Sequence, residues 1–197
     1  MTTLDYYDQN AAKFTQDTIS APIHDIQEVF LSYLDAGARI LDLGCGSGRD
    51  TKYFLERGFR ADAMDGSEEL CRAAAAFTGI PVRHMLFQEL EAEEQYDGIW
   101  ACASLLHVPG KELRDVFDRI RRALKASGIL YASFKYGTFE GLRGERYYTD
   151  FTEETFAGFL ASVRGFEMER IWRSADARPE RRDETWLNMI LRKQNTH

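Results

Sequence analysis

The chain has no run of 18 or more apolar residues, so no segment reads as a membrane-spanning helix. It also has no surplus of positive charge. With 25 Lys and Arg against 32 Asp and Glu, the net charge is −7, which argues against nucleic acid or anionic membranes as partners. Cysteine is sparse: Cys45, Cys71 and Cys102 show no metal-type spacing and read as reduced thiols in a cytoplasmic interior. The four histidines, His24, His84, His107 and His197, form no i,i+4 pair, and no metal site is expected. The first residues lack a basic stretch followed by an apolar core, so no secretory signal is expected. There is no internal repeat, low-complexity tract or linker. One domain over residues 1–197 is therefore expected, with 44% hydrophobic and 29% charged residues, enough to bury a substantial core.

What is present is an apolar run ending in glycines: Ile40-Leu41-Asp42-Leu43-Gly44-Cys45-Gly46-Ser47-Gly48. A helical pattern follows. Strand, bare turn and helix start bring backbone close to a nucleotide-like ligand. Two nucleotide readings fail on spacing. The dinucleotide fingerprint needs a third glycine where Arg49 stands, and no lysine follows Gly48 as a P-loop requires. A nicotinamide-dependent oxidoreductase is thereby the weaker alternative. Asp65 ends the next apolar run, about 20 residues on, where a second strand presents a carboxylate to ribose hydroxyls. A ligand with a ribose and no pyrophosphate fits both observations.

Along the chain, residues 4–18 carry a weak helical pattern and 21–35 an amphipathic one with Pro22 in its first turn. Strands are expected at 39–43, 60–64, 82–86, 97–103 and 128–134. Helices are expected at 49–57, 67–76, 111–126 and 152–163, with Ser67 and Thr152 as caps. The alternation implies a parallel, doubly wound sheet with helices on both faces. Two last strands, 166–173 and 185–192, have no room for a crossover helix between them and are expected to pair antiparallel.

Residues 42–48 resemble the first motif of class I S-adenosylmethionine-dependent methyltransferases, and blocks at 65–67, 96–108 and 124–134 follow in that family's order. Residues 42–50, 100–108 and 133–137 are further similar to small bacterial methyltransferases described as resembling the tellurite-resistance type. The resemblance implies a Rossmann-like α/β fold with a seven-stranded, mostly parallel sheet and one antiparallel strand. It implies S-adenosylmethionine as cofactor, S-adenosylhomocysteine as product and a small-molecule acceptor, in a cytoplasmic monomer or homodimer. Carried over by position, Gly44, Cys45 and Gly46 lie under the methionine part, with Asp42 near its amino group. Asp65 takes the ribose hydroxyls and Gly66 lies under the adenine. Leu86 and Phe87 stand where the family often has an acidic adenine contact. Ala101 and Cys102 flank the sulfonium. Residues 1–20 form a segment over the cofactor, with Tyr7 touching the methionine portion. A cofactor-binding module without transfer activity is the other open reading.

Methyl transfer needs an acceptor lone pair aligned about 3–3.5 Å from the methyl group, and a base only if the acceptor is protonated. His107, just past the fourth strand, is either that base or a histidine bonded to its own loop. Residues 135–150 form a long stretch with glycines at 137, 141 and 144, expected to be a substrate-side lid. Arg143 or Arg146 would bind an anionic group there, and Tyr136, Tyr147 and Tyr148 would supply flat surface, with Tyr136 and Tyr147 as the contacts. The alternative is a surface hairpin whose arginines pair with Glu140 and Glu145. The charged 173–182 loop either rims the substrate pocket or solvates the sheet edge.

Overall fold

A computed structural model describes residues 2–194; Met1 and His197 lie outside the described residues. In chain order the elements are α1 (Thr3–Thr18), α2 (His24–Leu31), β1 (Arg39–Leu43), α3 (Arg49–Glu56), β2 (Arg60–Asp65), α4 (Glu68–Thr78) and β3 (Val82–His84). Then come β4 (Tyr96–Ala101), α5 (Gly110–Ala123), β5 (Leu124–Lys135), β6 (Glu140–Arg143), β7 (Arg146–Thr149), α6 (Glu153–Ser162), β8 (Phe166–Ala175) and β9 (Thr185–Lys193). Seven strands form one sheet in the order β3-β2-β1-β4-β5-β9-β8. Every pairing from β3 to β5 is parallel, and β9 runs antiparallel to both β5 and β8. The expected sheet, with its single antiparallel strand, is the observed one.

Side-chain parity decides the two faces. Leu41, Ile99, Leu130 and Leu191 lie in register across four strands and pack with Leu113, Val116, Phe117 and Ile120 of α5 and Phe156 of α6. The residues one step along each strand, Trp100, Tyr131 and Ile190, point to the other face and meet Phe30 of α2 and Phe54 of α3. Gly98 makes room for this second core. A Cβ there would lie 2.7 Å from the Phe30 ring.

Several boundaries differ from the sequence expectation. The 21–35 helix is confined to His24–Leu31, because Ile23 is non-helical at φ −120° and the chain leaves through short turns at Ser32 to Leu34. The third strand stops at His84, and the following turn is closed by the Leu86 N–H donating to Glu89 Oε2 at 2.8 Å. α5 ends at Ala123, since Leu124 already pairs with Tyr96 as the first residue of β5. Residues 135–150 are not an open loop. They contain the hairpin β6–β7, a separate two-stranded sheet turned at Gly144, which has φ +61°.

Candidate functional site

A cavity of about 660 Å3 lies at the carboxyl ends of the parallel strands, where open α/β sheets bind ligands. Its first wall is the turn after β1. Gly44 has φ +81°, and a Cβ on it would fall 2.6 Å from Ser104 Cβ, so only glycine fits the close approach of the two strand ends. Gly44 and Cys45 both donate their N–H to Met64 O at 2.9 Å, and the Gly46 N–H donates to Asp65 Oδ2 at 2.9 Å. Asp65 Oδ1 accepts from the Ser67 N–H at 2.9 Å. Burial pushes the Asp65 carboxyl above its ordinary range, against these backbone donors.

The second wall is the step after β4. Ala103 adopts φ +50°, a left-handed conformation that costs a residue with a Cβ about 1–2 kcal/mol. It is held there by its N–H donating to Ser133 Oγ at 2.8 Å, and the Ser104 hydroxyl donates to Leu43 O at 2.7 Å. Strain retained in this way marks functional positions. Cys102 lines the cavity beside it, and burial pushes its thiol up to about 12. Cys45 is likewise raised by burial. Neither thiol supplies a thiolate at neutral pH.

α1 closes the cavity from above. It starts in a capping box between Thr2 and Asp5, and Leu4, Tyr7 and Phe14 line the space. The His107 Nδ1 lies 2.7 Å from Tyr147 O, and its Nε2 lies 2.7 Å from the Tyr7 hydroxyl. A carbonyl only accepts, so Nδ1 carries the proton and Nε2 accepts from Tyr7. Burial drives His107 down to about 4 and Tyr7 up to about 12, so both are neutral near pH 7.

Gly44, Cys45, Gly46, Asp65, Gly66, Leu86, Phe87, Cys102, Tyr7, His107 and Arg146, all singled out in the sequence, converge on this one cavity. Five others do not reach its wall. Asp42 is buried behind the turn, accepting from the Thr51 hydroxyl at 2.5 Å, and burial raises it to about 8. Ala101 is enclosed in the core, one residue short of the strand end. Arg143 forms a two-pronged ion pair with Asp150, not with Glu140 or Glu145. The Tyr147 hydroxyl points outward and donates to Glu140 at 2.8 Å. Tyr136 lies under the Arg173 guanidinium, 4.0 Å from its ring centroid.

Of the far half of the cavity the sequence reading offered only the 173–182 loop as a candidate rim, and that loop does line it. That half is built on cross-strand rows: Ser133, Asn188 and Trp172 in one, Lys135, Trp186 and Ser174 in the next. All six line the cavity, with Asp176, Arg178 and Arg181 of the loop after β8. A signal existed in β9, where Trp186 and Asn188 alternate with the core residues Leu187 and Met189. Among the described residues, no group of three His, Cys, Asp or Glu side chains is placed to hold a metal ion, and no helix is long and apolar enough to cross a membrane.

Residues 40–128 match a family model described as "Methyltransferase domain". A ubiquinone biosynthesis O-methyltransferase of Xylella fastidiosa (strain 9a5c) is 31% identical over 124 residues, covering 57% of this chain and 50% of that protein. The chain thus spans about half the length of the curated relatives it matches. The 1,6-didemethyltoxoflavin-N1-methyltransferase of Burkholderia thailandensis, solved with 1,6-didemethyltoxoflavin and S-adenosylhomocysteine, is 26% identical. It covers 97% of this chain and 85% of its own, with a TM-score of 0.77. The N-methyltransferase NodS of Bradyrhizobium japonicum WM9, in complex with S-adenosylhomocysteine, shares the fold at 16% identity. It covers 99% of this chain and 100% of its own, with a TM-score of 0.76. Residues 40–128 thus match a methyltransferase-domain model, and the chain shares its fold with methyltransferases solved with S-adenosylhomocysteine bound.

Proposed function

We propose that this chain transfers a methyl group from S-adenosylmethionine to a small organic molecule. The observation that carries the reading is the meeting in one cavity of the glycine turn after β1, the Asp65 carboxylate and the left-handed Ala103 step after β4. The residues fit the donor. Gly44 leaves bare backbone where a Cβ would collide with Ser104. Asp65 spends two acceptor positions on the Gly46 and Ser67 N–H groups, which leaves others for a pair of ribose hydroxyls. When bound, S-adenosylmethionine supplies an electrophilic methyl group on sulfur.

Everything else falls to the chain. Gly44, Cys45 and Gly46 would carry the methionine portion, and Asp42 would act through the turn it braces. Gly66, Leu86 and Phe87 would enclose the adenine, while Cys102 and Ala103 border the reacting atoms. His107 keeps Tyr7 in place and is a weak base at neutral pH, so positioning and the exclusion of water by α1 carry the rate. The resemblance to tellurite-type enzymes admits a metalloid oxyanion as acceptor; the indole walls of Trp172 and Trp186 favour an organic one.

Calorimetry with S-adenosylmethionine, S-adenosylhomocysteine and NAD tests the donor. The two sulfur ligands are expected to bind and NAD is not, and Asp65→Ala is expected to weaken S-adenosylhomocysteine about tenfold or more, the loss of a charge-assisted contact. A wild-type protein that binds neither sulfur ligand would end the reading. A methyl-release assay over a metabolite panel separates transfer from binding alone.

A further inference from the structure

The acceptor half of the cavity gathers four cations: Lys135 from the end of β5, Arg146 from β7, and Arg178 and Arg181 from the loop after β8. They meet two carboxylates. Asp176 accepts from Arg178 Nε and Nη2 at 2.9 and 2.7 Å. Glu184 pairs with Lys135 and lies 4.0 Å from Arg181. Arg146 forms no ion pair among the described residues. Its guanidinium lies over the rings of Tyr6, Tyr148 and Tyr7, at 4.8, 5.4 and 5.9 Å from their centroids, and one N–H contacts the Tyr7 hydroxyl at 3.4 Å.

Glu180 also acts on Arg178, so the four cations exceed the carboxylates around them by one positive charge, in a chain whose net charge is −7. The cations also act on one another. Burial, with the charges of Arg181, Arg178 and Arg143 and against the opposing effect of Asp176, lowers Lys135 to about 8. Partly buried like charges without matching carboxylates are costly alone and favourable around an anion. Beside them stand flat apolar surfaces. Trp172 and Trp186 come from adjacent rows of the same sheet face, and the Lys135 ammonium lies 4.8 Å from the Trp186 ring centroid.

We infer that the methyl acceptor is a small aromatic carboxylate, its carboxylate held by Arg146 with the Lys135, Arg178 and Arg181 group and its ring laid against Trp172 and Trp186. The planar guanidinium of Arg146 matches a carboxylate in two-pronged fashion. The inference rests on the methyl-transfer reading for the word acceptor; the anion preference itself does not.

The test is calorimetry on the full chain, with and without S-adenosylhomocysteine. The probes are benzoate, 4-hydroxybenzoate and quinoline-2-carboxylate, each against its primary amide, and acetate. At least one aromatic carboxylate is expected to bind about tenfold tighter than its amide and than acetate. Arg146→Gln and Lys135→Met are expected to abolish that preference while S-adenosylhomocysteine affinity stays within about threefold. If either variant fails to fold, Arg181→Gln is expected to weaken the preference. Absence of a carboxylate preference in every pair, or acetate binding as tightly as the aromatic acids, would overturn the inference. So would an about tenfold loss of S-adenosylhomocysteine affinity in Arg146→Gln, because the cation would then serve the donor. A wild-type protein that prefers carboxylates yet binds no S-adenosylhomocysteine would remove the methyl-transfer reading and leave the anion site standing.

Discussion

His107 bonds the Tyr147 carbonyl through Nδ1 and the Tyr7 hydroxyl through Nε2, and protonation would turn Nε2 into a second donor aimed at Tyr7. Nearby stand the Arg146 guanidinium, which also opposes a positive ring, and the Tyr148 ring. With His107 depressed from 6.5 to about 4 in the folded chain, the unfolded chain binds more protons between those values. Its contribution to stability is therefore complete above pH 6.5 and is lost as pH falls towards 4, an effect of up to about 3 kcal/mol. Urea unfolding at pH 7 and pH 4.5 should show a loss in the wild type that His107→Gln, which keeps a donor and an acceptor, largely lacks. Parallel losses in the two proteins would assign the acid sensitivity elsewhere. Gly44 makes the second residue-scale prediction. Gly44→Ala combines a left-handed φ with a Cβ 2.6 Å from Ser104 Cβ, so the two strand ends must part. A lowered melting temperature and an about tenfold or greater loss of S-adenosylhomocysteine affinity are expected, the latter worth about 1.4 kcal/mol or more. Unchanged affinity would show that the turn does not touch the ligand. Gly44 and Asp65 were legible in the sequence because their chemistry is local. They sit at strand ends that hydrophobic runs mark, and a bare turn and a carboxylate have few other uses there.

The hairpin β6–β7 was harder to read, and parity explains why. Its glycines and length suggested an open lid, yet Gly141 pairs with Tyr148 and Leu142 with Tyr147, and in such a ladder neighbouring residues face opposite ways. Tyr148 is therefore buried on the cavity while Tyr147 faces outward, a distinction that composition cannot make. Parity does not separate the two arginines, which pair directly across the hairpin and both lie over the Tyr148 ring; their partners do. Arg146 reaches the cavity, whereas Arg143 holds the nearly buried Asp150, whose side chain is 2% exposed, and lies over the Phe139 and Tyr148 rings. Arg143→Ala is accordingly expected to cost about 1–3 kcal/mol by leaving that carboxylate without its charged partner, with S-adenosylhomocysteine affinity unchanged. A full-strength fold with impaired binding would reverse these assignments. α1 was only a weak pattern in the sequence, and the structure gives the reason: Ala11 is its single buried residue among those described. It is fastened instead by polar contacts, Ser67 Oγ donating to Asp8 at 2.6 Å and the Tyr147 N–H to Thr3 Oγ1 at 2.9 Å. An element with so little apolar burial opens ahead of the sheet. In hydrogen exchange, α1 amides should exchange before those of β1 and β4, and S-adenosylhomocysteine should slow α1 preferentially. Protection of α1 equal to the sheet in the free protein would count against an opening segment.

Across the whole molecule, the sheet was legible, and of the far half of the cavity only the 173–182 rim was. Strand and helix patterns alternate strongly enough to imply the parallel sheet, and the helix-free link between the last two strands implies the antiparallel one. Ser133, Trp172 and Asn188, by contrast, meet only through the register of β5, β9 and β8, which no single stretch encodes. The same is true of the network that fastens helices to the sheet behind the cavity. Asp50, at the start of α3, is 6% exposed and accepts from Gln27 of α2 at 2.7 Å, from the Trp100 indole N–H of β4 at 2.9 Å and from Arg49 at 2.8 and 2.9 Å. Three elements thus converge on one carboxylate, and the partly buried Arg49 guanidinium, though it also donates to Thr18 O at 3.4 Å, forms its ion pair there. Asp50→Asn keeps the shape but removes the charge and turns an amide N–H₂ towards existing donors. Breaking a buried ion pair costs about 3–5 kcal/mol; with Arg49 20% exposed, about 2–3 kcal/mol is expected here, against about 1 kcal/mol for losing a single neutral hydrogen bond. Urea unfolding of Asp50→Asn should therefore show a loss two to three times that of Thr18→Ala, whose hydroxyl bonds Phe14 O and Ser47 Oγ. A loss below about 1 kcal/mol would mean that Arg49 reaches water once its carboxylate is gone, and that the helices are held by the Phe30, Phe54 and Trp100 rings alone.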